Sequence, residues 1–177
     1  LEMNVMVYDP FLSAERIESL DAEKSSLDDV LKYSDFVSLH LPLMKNTKNI
    51  INLKQIKKMK KTSYLVNAAR GGLINENDLF IALKRKLISG AALDVFENEP
   101  LTNSSLHNLD NIILTPHLGA STTEAQDAAS IQISNQISEY LKNGTVINSV
   151  NMSSITGNER KILGPYLDLS LKIGSFA

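Results

Sequence analysis

Short apolar runs alternate along most of the chain with longer segments in which apolar residues recur at helical spacing. Runs of about five residues that are rich in β-branched side chains are typical of strands. They predict strands at 4–8, 35–40, 63–67, 90–94 and 111–114. Their near-continuous apolar character is typical of strands that are covered on both faces. Helices are predicted between them at 26–33, 53–61 and 75–86. This alternation predicts an α/β fold built on a doubly wound parallel sheet.

Two of these helices carry polar residues that need an interpretation. Asn75 can cap the helix at 75–86, and Glu76 and Asp78 suit its positive N-terminal end. The helix at 53–61 has lysine at five positions, which could form a nucleic-acid-binding patch. Its apolar residues Leu53, Ile56 and Met59 recur every third position, however, so we interpret the lysines as the solvated side of an amphipathic helix.

The longest predicted helix spans 122–143. Small and apolar residues follow one another along it at a spacing of four positions: Ala125, Ala129, Ile133, Ile137 and Leu141. Gly144 is a suitable C-cap. The polar segment 148–157 predicts a linker, and a helical pattern resumes over 159–177.

The composition excludes several classes of protein. The chain has 177 residues and no cysteine, so it has neither a disulfide framework nor a thiolate metal site. Its formal net charge of −2 gives no basic field for nucleic acid. No apolar run approaches the roughly 18 residues needed to cross a membrane. We therefore expect a soluble, cytoplasmic protein with no metal site and with no nucleic-acid or membrane partner.

Arg70 is the first candidate for chemistry, because it comes directly after a predicted buried strand in Asn67-Ala-Ala-Arg-Gly-Gly72. The carboxyl ends of strands line the ligand crevice of a doubly wound sheet. The two glycines allow a sharp turn that leaves the planar guanidinium exposed, and this group suits a carboxylate. The alternative is an ordinary surface arginine in a turn.

His117 also follows a predicted strand, and imidazole can exchange a proton near neutral pH. The alternative is a structural histidine, which is the interpretation we favour for His40. Glu99 and Glu97 both follow the strand at 90–94, and either carboxylate could orient a histidine; spacing alone does not choose between them. Asp9 closes the first strand, where it could accept hydrogen bonds from a ribose or begin the turn at Pro10.

Three segments together carry a resemblance: Asn67-Ala-Ala-Arg-Gly-Gly72, Gly90-Ala-Ala-Leu-Asp-Val-Phe-Glu-Asn-Glu-Pro100 and Thr115-Pro-His-Leu-Gly-Ala120. In order and spacing they resemble the D-2-hydroxyacid dehydrogenase family, and the resemblance covers essentially the whole chain. It implies an oxidoreductase with a Rossmann-type sheet, NAD as cofactor and a small 2-hydroxy acid as substrate. Within the family, the segment 117–126 and the tail 165–176 resemble the branch that oxidises 3-phosphoglycerate for serine biosynthesis.

The resemblance also implies roles for individual residues. Arg70 would bind the substrate carboxylate, His117 would be the acid/base, and Glu99, rather than Glu97, would hold and charge His117. The residues implied around the cofactor are Asp9, Leu41, Ala68, Ala69, Arg70, Asp94, His117, Gly119 and Ala120. No metal site is implied.

The chain also departs from the family pattern. The glycine-rich phosphate loop of the family has no counterpart, since no GxGxxG occurs in the sequence. We therefore expect a partial sheet that lacks its first strand, in a fragment that is inactive alone and belongs to a homo-oligomeric parent. The expected domains are the remainder of an NAD-binding domain at 1–121, a long helix and return connection at 122–150, and the start of a further domain at 151–177. Alternatives are a dehydrogenase for another D-2-hydroxy acid and an NAD-sensing corepressor-type binding protein.

Overall fold

The computed structural model describes residues 3–119, 121–151 and 157–176. The chain divides into two compact units, Leu1–Gly119 and Ala120–Ala177. In chain order the first unit contains β1 (Met6–Val7), α1 (Ala14–Glu18), β2 (Glu23–Lys24), α2 (Leu27–Tyr33), β3 (Phe36–Leu39), α3 (Leu53–Ile56), β4 (Tyr64–Asn67), α4 (Glu76–Lys84), β5 (Gly90–Leu93), a 3-10 helix (Ser105–Asn108) and β6 (Ile112–Leu114). The second unit contains α5 (Thr123–Asn143) and α6 (Gly157–Gly174).

Four strands of the first unit form one parallel sheet in the order β3-β4-β5-β6. Phe36 is in register with Tyr64, and Tyr64 with Gly90. Because these strands are parallel and in register, their carboxyl ends lie along the same edge of the sheet. The prediction of an α/β fold with a parallel sheet is confirmed.

β1 pairs with β2 in a separate two-stranded parallel sheet. The strand predicted at 4–8 covers only Met6–Val7, and the sequence pattern does not predict its partner β2. The sequence pattern also does not predict α1, which has five residues. This helix begins where the Ser13 side chain accepts a hydrogen bond from the Arg16 amide. Both missed elements are too short to show a periodic pattern in the sequence.

The four-stranded sheet is buried on one face and accessible on the other. Val37, Leu65 and Leu93 belong to the core. Phe36 and Tyr64 point to the opposite face, where their rings stack with centroids 5.4 Å apart and remain exposed. For β3 and β4 the prediction of strands covered on both faces is therefore wrong, because buried positions alternate there with exposed or half-buried ones as in a one-sided sheet. In β5 the neighbouring residues Gly90 and Ala91 are both buried.

The helices α2 and α4 begin where the sequence predicts. The Ser26 hydroxyl accepts a hydrogen bond from the Asp29 amide at 3.1 Å, and the Asn75 side chain accepts one from the Asp78 amide at 3.0 Å. These bonds satisfy amide groups that have no partner within the first turn of a helix. The predicted cap at Asn75 is confirmed.

α3 ends at Ile56, although the predicted helix extended to residue 61. After Ile56 the amides bond three residues back, from Lys58 to Gln55 and from Met59 to Ile56, which tightens the chain into turns. Ile56 and Met59 are nevertheless buried. Lys58 and Lys60 form exposed ion pairs with acidic residues, as the interpretation of a solvated lysine face requires.

The second unit consists mainly of two helices. α5 runs from its cap at Thr122 to Gly144, which has a left-handed φ of 63° and is the predicted C-cap. Ile133, Ile137 and Leu141 form the predicted stripe and are exposed. The predicted linker 148–157 falls partly outside the described residues.

Candidate functional site

The candidate site residues lie where β4, β5 and β6 end. Ala68 and Arg70 follow β4, Asp94 follows β5, and Thr115 and His117 follow β6. The parallel register brings these three strand ends to one edge of the sheet. In open α/β sheets this edge is where ligands bind.

Arg70 lies in a tight turn, residues 67–72, that we call the arginine turn. The Asn67 side chain accepts a hydrogen bond from the Ala69 amide at 3.1 Å and donates one to the Arg70 carbonyl at 2.9 Å. The exposed Arg70 side chain donates from Nη1 to the Ala69 carbonyl at 2.6 Å. The turn is thus held from within, while the guanidinium lies at the surface.

The arginine turn packs directly against the segment that carries Glu99. A Cβ atom at Gly71 would lie 1.8 Å from the Phe96 carbonyl oxygen, so only glycine allows this approach. The Phe96 amide in turn donates to Glu99 Oε1 at 3.0 Å. Gly71 therefore connects the position of Arg70 with that of Glu99.

Glu99 forms the contact with His117. Its Oε2 lies 2.8 Å from His117 Nδ1, whereas its Oε1 accepts the Phe96 amide. Glu97 belongs to a different network: its carboxylate lies 3.2 Å from Lys48 Nζ, and its amide donates to Glu76 Oε1 at 2.7 Å. The choice that spacing left open is made by the loop, which turns Glu99 toward the histidine.

The hydrogen bond from His117, followed by that from the Phe96 amide, holds the pKa of Glu99 below its ordinary value of 4.5. Because this pKa is lowered by folding, the contact stabilises the folded chain above about pH 4.5. That stabilisation is lost as the pH falls through the lowered pKa.

Asp94 holds the loop that carries His117, residues 115–119, which we call the histidine loop. Its Oδ1 accepts hydrogen bonds from the Thr115 hydroxyl and the Leu118 amide, and its Oδ2 accepts the Gly119 amide at 2.9 Å. His117 has a φ of 55°, a conformation that is uncommon for residues other than glycine. Bonds on both sides of His117 fix this conformation.

Burial raises the pKa of Asp94, but the hydrogen bonds from Thr115, Leu118 and Gly119 outweigh it and hold the pKa below the ordinary value. Asp94 is therefore an ionised acceptor near neutral pH. The family resemblance implies a place for Asp94 at the cofactor only and gives Thr115 no role. The sequence signal for a contact between Asp94 and Thr115 is their position at the ends of the adjacent strands β5 and β6.

The remaining predicted cofactor residues are less closely grouped. Leu41 and Ala69 are half-buried near the ends of β3 and β4, and Gly119 is exposed. Asp9 Oδ1 accepts the amides of Phe11 and Leu12 at 2.7 and 3.0 Å, so the turn expected as the alternative is present. Ala120 lies outside the described residues.

Two cavities open at this edge of the sheet. The larger, of about 530 Å³, is lined by Glu99 and His117 and by apolar residues that include Phe96, Leu101 and Leu114. The smaller, of about 160 Å³, is lined by Ala68, Asp94, Thr115 and their neighbours. The Glu99–His117 pair and the Asp94 carboxylate thus each border a recess that can hold part of a ligand.

Clusters of metal-ligating side chains and membrane-spanning helices are the two other features that bear on function. In the described part of the chain, no group of three or more His, Cys, Asp or Glu side chains is arranged to hold a metal ion. None of the helices described is both long enough and apolar enough to span a membrane.

Comparison with known proteins decides the family. Residues 1–119 match the family model of the D-isomer specific 2-hydroxyacid dehydrogenase, NAD binding domain. The chain belongs to this D-2-hydroxyacid dehydrogenase family. It is 44% identical over 174 residues to a D-3-phosphoglycerate dehydrogenase of Methanocaldococcus jannaschii, covering 98% of this chain and 33% of that protein. It is 40% identical over 173 residues to the enzyme of the same name from Synechocystis, covering 98% of this chain and 31% of that protein.

Comparison with solved structures supports the same family. The NAD-complexed D-isomer specific 2-hydroxyacid dehydrogenase of Lactobacillus delbrueckii ssp. bulgaricus aligns with a TM-score of 0.65 and 33% identity, over 82% of this chain and 47% of that one. The fold expected from the resemblance is confirmed, as is NAD as the cofactor of this dehydrogenase domain. The chain spans about a third of the length of the two curated relatives, 33% and 31%.

The residues at the strand ends fit a nicotinamide cofactor. The smaller cavity combines apolar walls with the small Ala68 side chain and the Asp94 carboxylate. A flat heteroaromatic ring that carries an amide needs an apolar recess and a hydrogen-bond acceptor at its rim. Asp94 and Ala68 are the residues that would hold it in this D-2-hydroxyacid dehydrogenase domain.

Proposed function

We propose that the full-length gene product oxidises 3-phosphoglycerate to 3-phosphohydroxypyruvate with NAD, a step that leads to serine. The observation that carries a hydroxy-acid dehydrogenase function is the 2.8 Å contact between Glu99 and His117, at the carboxyl edge of the parallel sheet. The choice of substrate is supported by the names of the relatives at 44% and 40% identity.

The chemistry follows from three side chains. Arg70 binds the substrate carboxylate through its planar fork. Glu99 accepts a hydrogen bond from His117 Nδ1, so that Nε2 is the nitrogen that takes the proton of the C2 hydroxyl group. When bound, NAD would supply the acceptor for the hydride of C2, and Ala68 and Asp94 would hold its nicotinamide ring. In the reverse direction protonated His117 returns the proton to the carbonyl oxygen.

We further propose that the 177-residue chain alone does not turn over substrate. Two observations support this. The sequence contains no GxGxxG phosphate loop. In addition, β1 and β2 form a sheet that is separate from β3–β6, so the two strand groups share no backbone ladder among the described residues.

The test measures NADH formation by the full-length gene product with 3-phosphoglycerate, D-lactate and D-glycerate, and by the 177-residue chain under the same conditions. We expect turnover of 3-phosphoglycerate by the gene product only. A preference for another hydroxy acid would correct the substrate. Saturable NADH binding with no turnover of any hydroxy acid would favour an NAD-sensing binding protein. Turnover by the 177-residue chain would refute the proposal that it is inactive.

Glu99→Gln is expected to lower kcat/KM for keto-acid reduction by about tenfold or more. Glu99 Oε2 lies 2.8 Å from His117 Nδ1, and glutamine keeps an acceptor there but removes the charge. A hydrogen bond to a charged acceptor is stronger than one to a neutral acceptor, so the variant loses part of the contact that orients the imidazole. The measurement is kcat/KM for reduction at one pH near neutrality.

Glu97→Gln is the matched control, because it makes the same chemical change two positions away in a residue that faces Lys48. Its kcat/KM should follow that of the wild type. Equal losses in both variants, or no loss in Glu99→Gln, would show that the charge of Glu99 does not support His117.

A further inference from the structure

Asn67 is a buried polar residue that the mechanism above does not use. It ends β4, and only 2% of its surface is exposed. Burying a carboxamide is costly unless its donor and its acceptor both find partners. The partners of the Asn67 side-chain donor and acceptor therefore indicate the role of this residue.

The Asn67 side chain spans the arginine turn. Its Oδ1 accepts the Ala69 amide at 3.1 Å, and its Nδ2 donates to the Arg70 carbonyl at 2.9 Å. Both bonds are internal to the turn, so the carboxamide replaces the solvent that would otherwise satisfy these backbone groups. The Arg70 main chain thereby has one position relative to the end of β4.

The main chain of Asn67 is tied to the other half of the site. Its carbonyl accepts the Asp94 amide at 2.9 Å, and the Asp94 side chain holds the histidine loop on both sides of His117. One residue thus contacts both the turn that carries the substrate anchor and the residue that fixes the acid/base. The two halves of the site are therefore joined by hydrogen bonds through Asn67.

We propose that Asn67 is a positioning residue, which fixes Arg70 relative to the histidine loop so that both reach the same substrate. The inference deepens the proposed function and rests on it. Asparagine is required because one short side chain must accept from one amide and donate to a carbonyl. Aspartate has the same shape but no donor, so it places a carboxylate oxygen against the Arg70 carbonyl.

Asn67→Asp in the full-length gene product is the test. We expect KM for the hydroxy acid to rise at least about tenfold, because small displacements of an anchoring group have large effects on substrate binding. Asn67 also borders the smaller cavity, so the dissociation constant for NADH is measured as well, and it should rise by a smaller factor than KM for the hydroxy acid. Arg70→Lys is the reference variant and should raise KM by at least as much.

The same variant offers a second readout. A protonated carboxyl group regains a donor, so the ratio of the variant KM to the wild-type KM should fall toward acid pH. A purely structural loss of packing predicts no such recovery.

Asn111→Asp is the matched control. Its Nδ2 also donates to backbone carbonyls, those of Leu83 and Ser89, each at 3.3 Å, but it lies at the opposite end of the sheet. We expect a lower Tm and an unchanged KM. If both variants lower Tm and neither changes KM, Asn67 is a structural residue and the inference is wrong.

A measurement independent of turnover separates the two proposals. Hydrogen exchange of the amides of Arg70 and Gly71 should accelerate in Asn67→Asp and not in Asn111→Asp, whereas the Ala69 amide keeps an oxygen acceptor in the variant. If the wild type oxidises no hydroxy acid but this acceleration occurs, the proposed function fails and the positioning of the turn stands. Unchanged exchange overturns the positioning role whatever the substrate.

Discussion

His117→Ala is expected to lower kcat for hydroxy-acid oxidation by roughly a hundredfold or more, with little change in the affinity for NADH. Alanine removes the group that takes the C2 hydroxyl proton, and Glu99 cannot replace it, because its Oε2 faces the vacated imidazole position and its Oε1 accepts the Phe96 amide. The measurement is single-turnover NADH formation by the full-length gene product, together with a fluorescence titration of NADH.

His40→Ala is the control for this prediction. His40 also lies at a strand end, where its Nε2 is 2.9 Å from the Ser38 hydroxyl, and its apolar sequence context favours a structural role. The kcat of His40→Ala for hydroxy-acid oxidation should stay within severalfold of the wild-type value. A His117→Ala enzyme with unchanged turnover would remove His117 from the mechanism. A His40→Ala enzyme that loses as much activity would mean that the rate reports on folding at the strand ends.

The strands and helices of the alternating α/β pattern were predictable from the sequence, and the short elements β2 and α1 were not. The strands β3 to β6 are recognisable as short apolar runs, and the helices α2 and α4 as helical patterns with caps such as Asn75. By contrast, β2 has two residues, Glu23 and Lys24, both exposed, and nothing local distinguishes them from a loop. The burial of only one sheet face was not predictable either, because positions such as Phe36 are apolar but exposed.

The residues of the candidate site and the pairing of Glu99 with His117 were predicted with the help of the family resemblance, but the other contacts were not. Arg70, Glu99 and His117 follow from strand ends and from the family resemblance. The choice of Glu99 over Glu97 depends on the path of a loop, and spacing gives no information about that path. The hydrogen bond from Thr115 to Asp94 joins residues 21 positions apart. Such contacts depend on strand order, which a single sequence does not specify.

Hydrogen bonds connect the loops of the candidate site to one another, so its side chains are not positioned independently. Asp94 holds the histidine loop through three hydrogen bonds. Asn67 holds the arginine turn, and its carbonyl accepts the Asp94 amide. The exposed side chains of Arg70 and His117 thus depend on half-buried or buried neighbours for their geometry. Substitutions that alter this bracing should therefore affect catalysis without touching the substrate.

Gly71→Ala is the strongest case of such an effect. Its Cβ would lie 1.8 Å from the Phe96 carbonyl oxygen, 2.1 Å from the carbonyl carbon and 2.8 Å from the Glu97 nitrogen. All three atoms are backbone, so no side-chain rotation relieves the clash. The arginine turn and the segment that carries Glu99 must move apart.

We expect Gly71→Ala to lower kcat/KM by about a hundredfold or more, since a misplacement of about 1 Å at a catalytic group has an effect of that size. Overpacking of this kind should also reduce the free energy of unfolding by about 1–3 kcal/mol. The measurements are kcat/KM for the hydroxy acid and urea-induced unfolding followed by circular dichroism, both on the full-length gene product.

Gly72→Ala separates displacement from ordinary backbone strain. Gly72 has a φ of +79°, and a Cβ there would meet only the Leu43 methyl groups at 3.4 Å, an ordinary contact. It should cost about 1–2 kcal/mol of stability from the left-handed conformation while kcat/KM falls only severalfold. If Gly71→Ala retains wild-type kcat/KM, the contact between the arginine turn and Phe96 is not needed for catalysis. If both variants lose activity in proportion to their loss of stability, the effect is strain, and the coupling of Arg70 to Glu99 through Gly71 is refuted.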